Sequence, residues 1–214
     1  MDTAARKKVD DLLEQAGVSY AEEAGIRLAD TPKPLFQLLT FCMLASKPID
    51  ASIAVAAARE LFSAGMRTPD AVRNAARTDM IRAFGRAHYV RYDESSATRL
   101  VDIAQAVSDS YDGDLRKLAE SSGHDITAAT RLLKQFTGIG DTGAAIFLRE
   151  VQDTWTWVRP YFDTRAMTGA RAMGLPADVE ALSELAPRRN ANLAAALVRV
   201  SLDDGLREKL SSAQ

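Results

Sequence analysis

The chain is poor in cysteine: a single one, Cys42, stands among 214 residues. This excludes a disulfide framework within one chain and any four-cysteine metal site, whether zinc or iron-sulfur, and it fits a reducing compartment. Long hydrophobic runs are also missing. The longest apolar stretch, "PLFQLLTFCMLAS", falls well short of the roughly 20 residues needed to cross a bilayer. The amino terminus, "MDTAARKKVDDLLEQAG", lacks the uncharged apolar core of a secretory signal. A soluble cytoplasmic protein without a membrane partner is expected, nucleoid-associated if its source is bacterial. An excess of positive charge is absent too, since 27 Lys and Arg face 29 Asp and Glu for a formal net charge of −2. The chain as a whole therefore offers nucleic acid no attraction, and such a role needs basic residues segregated to one place. What is present is ordinary globular composition, 47% apolar and 26% charged, in a length that suits one sizeable domain or two small lobes.

Helical periodicity runs through nearly the whole sequence. Val9, Leu12, Leu13 and Ala16 repeat with a helical period, as do Ile53, Ala56, Ala57, Leu61 and Phe62 behind Asp50 as an N-cap. Thr68, Pro69 and Asp70 read as a cap, a first-turn proline and a first-turn acid. Leu100, Ile103, Ala104 and Val107 mark another amphipathic helix, Leu132 and Leu133 a shorter one, and Leu193, Ala196, Leu197 and Val200 a late one. The helix from about Pro34 to Ala45 is apolar nearly all round, which predicts burial on most sides. Only "TWTWVRPYF", residues 154–162, looks extended, and Pro160 argues against a central strand there. The class is all-α.

One stretch asks for more than packing. In "FTGIGDTGAAIFL", residues 136–148, Gly138 and Gly140 can adopt backbone angles closed to other residues, and Ile139 between them can turn inward as an apolar anchor. Consecutive N–H groups would then point outward where a helix holding Ala144, Ala145, Phe147 and Leu148 begins. With "ATRLLKQF" as a helix before it, the unit is helix, hairpin, helix, and a nucleic-acid phosphate is the natural anion for it. An ordinary glycine turn between helices explains this stretch equally well on its own.

Downstream, "PYFDTRAMTGARAMG" places Asp163-Thr164 before another helical run. Hairpin and Asp-Thr together resemble the helix-hairpin-helix DNA glycosylases of the endonuclease III superfamily (the HhH-GPD superfamily). That family carries an "L-P-G-[IV]-G-x-x-x-A" hairpin followed by a segment ending in "D-T", whose aspartate is catalytic. "PLFQLLTFCMLASKPIDASI" resembles the family's buried helix and a loop that enters DNA, and "AFGRAHYVRYDESSATRLVDIA" its second DNA-facing loop. The resemblance covers roughly residues 34–175. It implies an all-α, two-lobed fold, with a central lobe at 34–150 ending in the hairpin at about 126–150, and a second lobe from 1–33 plus 151–214.

The resemblance further implies base excision from double-stranded DNA carrying a lesion or mismatch, by a protein acting as a monomer. Breaking the bond between base and sugar develops positive charge on the deoxyribose, and a fixed carboxylate stabilises that charge and orients the attacking water. Asp163 is the catalytic candidate; it also suits the N-cap of the helix starting at Thr164. Gly138, Ile139, Gly140, Thr142 and Gly143 would form the phosphate-binding hairpin, with Lys134 and Arg165 as phosphate contacts and Arg149 and Arg171 as further compensating cations if the fold brings them to one face; scattered solvated charges are the equal alternative for these four. Lys47, Arg86 and His88 occupy the two loops that fill the gap left by a flipped nucleotide. Trp155 and Tyr161 are candidates for the base pocket, whereas Trp157 and Phe162 suit the core.

Two departures from the family pattern carry meaning. Lyase members place a nucleophilic lysine two residues after the second hairpin glycine, where this chain has Thr142, so excision without strand cleavage is expected. The four-cysteine cluster loop of many relatives is missing, and no cofactor is implied beyond the monovalent cation that the family's hairpin carbonyls often hold. Asp141, an acid directly after the glycines, would repel a phosphate unless it turns away or caps the helix. The alternative to a glycosylase is a DNA-binding or damage-recognition protein that keeps the hairpin and has lost excision.

Overall fold

The computed structural model describes residues 3–212, and among these the secondary structure is helical with no strand. In chain order the helices are α1 (Thr3–Ala16), α2 (Tyr20–Glu23), α3 (Pro32–Ala45), α4 (Ala51–Ser63), α5 (Pro69–Arg73), α6 (Arg77–Arg86) and α7 (Asp93–Tyr111). There follow α8 (Arg116–Ser121), α9 (Ile126–Leu133), α10 (Asp141–Val151), a short 3-10 helix (Thr156–Val158), α11 (Thr164–Ala172), α12 (Val179–Leu185), α13 (Asn190–Leu202) and α14 (Asp204–Ser212). Short polar side chains start many of them. Asp50, Thr68, Asp125, Asp163 and Asp178 each accept an N–H from the first turn of the helix they precede.

The chain forms two compact units: one from the described residues up to Tyr20 together with those from Leu148 on, the other from Ala21–Phe147. The chain passes between them at Tyr20/Ala21 and Phe147/Leu148, where the sequence reading drew the lobes at 33/34 and 150/151.

In the Ala21–Phe147 unit, α3 is the central element. Its ten consecutive residues from Leu35 to Leu44 are all buried, and it packs against α4 and α7. The apolar run all round this helix leaves no face for water, so its neighbours must cover it. Tyr89, fully buried, fixes the loop after α6 to this core. Its ring lies 5.3 Å from that of Phe84, and its hydroxyl donates to the Leu44 carbonyl at 3.2 Å and lies 3.3 Å from Ser96 Oγ.

In the other unit, α13 is the element that α1, α11 and α14 pack against. Its residues from Leu193 to Val198 are buried. The α11 backbone comes so close that a Cβ on Gly169 would stand 2.0 Å from the Leu197 carbonyl oxygen. Glycine at this position is what allows α11 to lie on α13, and Asp163 stands at the N-terminus of that same α11.

The segment expected to be extended differs in part. Thr156–Val158 forms a 3-10 turn, and the chain extends only from Arg159. The extended part finds its hydrogen bonds without a neighbouring strand. The buried Gln152 side chain donates to the Tyr161 carbonyl and accepts the Tyr161 N–H, each at 2.8 Å.

Candidate functional site

Asp163 is the best-defined candidate. One carboxylate oxygen, Oδ1, accepts the Ala166 N–H at 2.9 Å and so caps α11; the other, Oδ2, accepts from Arg149 Nη1 at 2.6 Å. The side chain keeps 11% exposure. Arg149 projects from the buried end of α10 and is itself 3% exposed. Its Nε donates to Glu150 Oε1 at 3.2 Å, and its guanidinium lies 5.4 Å from the centre of the Tyr20 ring. Burial works to lower the Arg149 pKa, but the charges of Glu150 and Asp163 outweigh it and the result is raised, so the guanidinium stays charged. Tyr161 stands half-buried nearby, its phenol pushed up by burial and then by the Asp163 charge.

Arg149 therefore does not serve as a surface cation. The sequence reading counted it among the cations that could offset Asp141 on one face; the structure directs its donors to two carboxylates inside the unit. The signal was present in "AAIFLREVQ", where an Arg-Glu pair interrupts an apolar helix. A charged pair in that setting has to be matched internally.

The hairpin between α9 and α10 belongs to the Ala21–Phe147 unit. Ile139 points inward at 4% exposure, and its N–H donates to the Phe136 carbonyl at 3.0 Å. The three glycines divide the work. Gly138 takes a left-handed φ of +88, and a Cβ there would meet Arg99 Cδ at 2.9 Å and Met43 Cγ at 3.3 Å. Gly143 is needed for packing, since a Cβ would stand 2.5 Å from Ser46 Oγ and 3.2 Å from Ile139 Cγ2. Gly140, expected to require unusual angles, does not: its φ lies outside the left-handed region and nothing occupies the space its Cβ would enter. Its exposed backbone is open to close approach at the start of α10. The N–H groups of Asp141, Thr142 and Gly143 have no intrahelical acceptor there.

The charges around the hairpin are balanced. Lys134 Nζ pairs with Asp141 Oδ1 at 2.5 Å, both side chains being well exposed. Arg99, which sequence reasoning missed, runs its aliphatic stem beside Gly138 from α7. Nothing in its local sequence marked it, because the contact joins residues far apart in the chain.

The loop candidates fall in the same unit as the hairpin. His88 is exposed, with a left-handed φ of 57, next to Val90 at 62% exposure. Lys47 lies with Nζ 5.8 Å from the centre of the Tyr92 ring, which Arg91 also approaches at 5.4 Å. Arg86 forms an ion pair with Glu60 across α6 and α4. In the other unit, Arg165 is exposed in the first turn of α11. Trp155 is 3% exposed with Trp157 stacked on it, ring centres 5.5 Å apart and planes at 22°. No group of three or more His, Cys, Asp or Glu side chains able to hold a metal occurs among the described residues, nor any helix long and apolar enough to cross a membrane.

No protein-family model matches the chain. No curated protein matches it either. Among solved structures it is similar to a trapped endonuclease III–DNA covalent intermediate, an estranged-adenine complex, at 13% identity and a TM-score of 0.52, over 93% of this chain and 86% of that one. Identity this low carries no residue roles across, but the likeness spans nearly the whole chain. The protein has the all-α fold of the helix-hairpin-helix glycosylases.

Proposed function

We propose that the protein is a monofunctional DNA glycosylase, excising a damaged or mismatched base from double-stranded DNA with Asp163 at the reacting sugar. The observation that carries this reading is the fixed Asp163 carboxylate at the N-terminus of α11, held through both oxygens in a chain whose fold is similar to that of endonuclease III. In the reaction the bond between base and C1′ breaks with its electron pair leaving on the base nitrogen. Positive charge builds on the sugar, water adds to C1′, and the proton it gives up ends on the released base nitrogen. A carboxylate already oriented stabilises that charge without reorganising. Thr142 has no amine to form a Schiff base with the sugar, so strand cleavage does not follow.

The hairpin supports the DNA-binding half of the reading through the exposed Gly140 backbone and the first N–H groups of α10. A monovalent cation held by hairpin carbonyls belongs to the same reading; the Phe136 and Gly140 carbonyls also accept the N–H groups of Ile139 and Ala144. No chemical step depends on that ion.

The second reading is a recognition protein that binds lesions without excising them, which needs the hairpin and no chemistry at Asp163. End-labelled duplexes carrying uracil, oxidised, alkylated or mismatched bases separate the two. A monofunctional glycosylase yields strand breaks only after alkali. Breaks without alkali would contradict the absence of lyase chemistry, and no excision of any base alongside binding to an abasic duplex would establish the recognition protein.

A further inference from the structure

Asp163 ends an extended stretch that has no strand beside it, so something other than a sheet ladder has to hold its backbone. The end of α10 does this. Arg149, Gln152 and Asp153 each meet an alternate residue of the stretch, in reverse chain order. Arg149 Nη1 donates to Asp163 Oδ2 at 2.6 Å, the Gln152 side chain exchanges two bonds with the Tyr161 backbone at 2.8 Å each, and Asp153 Oδ1 accepts from Arg159 Nη2 at 2.6 Å. Asp153 Oδ2 accepts the Ala191 N–H at 2.8 Å, which ties the far end of the stretch to the start of α13. Gln152 stands at the centre, fully buried. Its Nε2 also donates to the Arg149 carbonyl at 3.0 Å, so one side chain joins the turn that carries Arg149 to the backbone just before Asp163.

We infer that Gln152 is a positioning residue for Asp163: its amide stands in for a neighbouring strand, fixes Tyr161, and so sets where the Asp163 side chain starts. Only the buried Phe162 lies between the clamped residue and the carboxylate. Arg149 and the α11 cap then orient a group whose backbone is already held. Glutamine suits the place because its amide offers a donor and an acceptor together; a carboxylate lacks the donor and an apolar side chain lacks both. The effect on excision rests on the reading of Asp163 as the group beside the sugar, whereas the seat of Asp163 is measurable without it.

Backbone amide exchange followed by nuclear magnetic resonance reads that seat. The Tyr161 N–H reports the Gln152 bond, the Ala166 N–H the Asp163 cap, and the Leu197 N–H inside α13 whether the unit is folded. In wild type all three exchange slowly. Gln152→Met, which keeps the side-chain length and removes both polar groups, speeds exchange at Tyr161 and Ala166 by at least about tenfold and leaves Leu197 unchanged. Gln152→Asn, which keeps the amide but falls one methylene short, gives the same pattern and serves should the methionine variant not fold. On a base that wild type excises, Gln152→Met lowers single-turnover excision about tenfold or more while affinity for an abasic duplex stays within a few-fold. Added to Asp163→Asn it costs nothing further, because Gln152 acts through that carboxylate; a merely structural role would cost the same factor in both backgrounds. Fast exchange of Tyr161 in wild type, folded Gln152 variants that keep Ala166 protected, or an equal loss of excision in both backgrounds overturns the inference. A wild-type protein that excises no base, while Ala166 protection still depends on Gln152, fails the proposed function and supports the seating of Asp163 by Gln152.

Discussion

A buried arginine has to be matched, and at Arg149 two carboxylates do it. The same discipline appears at Tyr89, where burial pushes the phenol up to about 12 from 10.0. A raised value means that the fold favours the neutral phenol. The stability this contributes is whole below pH 10 and is lost as pH rises towards 12. Alkaline unfolding followed by circular dichroism is therefore expected to steepen in that interval. Tyr89→Phe, which gives up the bonds to Leu44 and Ser96 at a cost of about 1 kcal/mol near neutrality, flattens it. An unchanged alkaline limb in Tyr89→Phe would contradict this account. Exposed pairs behave differently. Lys134 and Asp141 contribute little to stability, but the acid occupies the one lysine at the hairpin turn. Asp141→Asn is expected to tighten duplex binding and to steepen the fall of log affinity with log salt by about 0.9, the mark of one more neutralised phosphate. An identical salt slope in wild type and Asp141→Asn would show that Lys134 meets no phosphate.

At the scale of elements, glycine positions were legible in the sequence but their roles were not. "TGIG" announced a turn, yet only Gly138 needs a left-handed backbone, and Gly143 is small because α10 begins against Ser46 and Ile139. Gly169 gave no signal at all, since its requirement comes from the Leu197 carbonyl of another helix. Gly169→Ala is expected to push α11 off α13 and cost about 1–3 kcal/mol, read as a lowered melting temperature. Because Asp163 starts the same helix, activity should fall further than stability alone explains. Gly140→Ala, whose added methyl enters open space, is expected to leave the melting temperature alone. A Gly169→Ala protein as stable as wild type would mean that the close approach of α11 to α13 is not required. The caps at Asp50, Thr68 and Asp163, by contrast, were readable outright, because an N-cap is a local contract between a side chain and the next turn.

At the scale of the whole molecule, the all-α class followed from periodicity, and the core helix α3 from its unbroken apolar run. Long-range pairings did not follow. Arg149 with Asp163, Lys134 with Asp141 and Arg99 beside Gly138 all depend on where helices cross or turn. Those pairings decide the electrostatics of a chain with a net charge of −2, which must attract DNA locally or not at all. The fold is similar to that of endonuclease III, and the proposed function turns on whether Asp163 acts on a sugar. The most direct measurement sets wild type beside Asp163→Asn, comparing single-turnover excision of the best base in the panel with affinity for an abasic duplex. Loss of excision by at least about a hundredfold with abasic affinity kept within a few-fold is the expected result. Equal excision by the two proteins would contradict a catalytic Asp163.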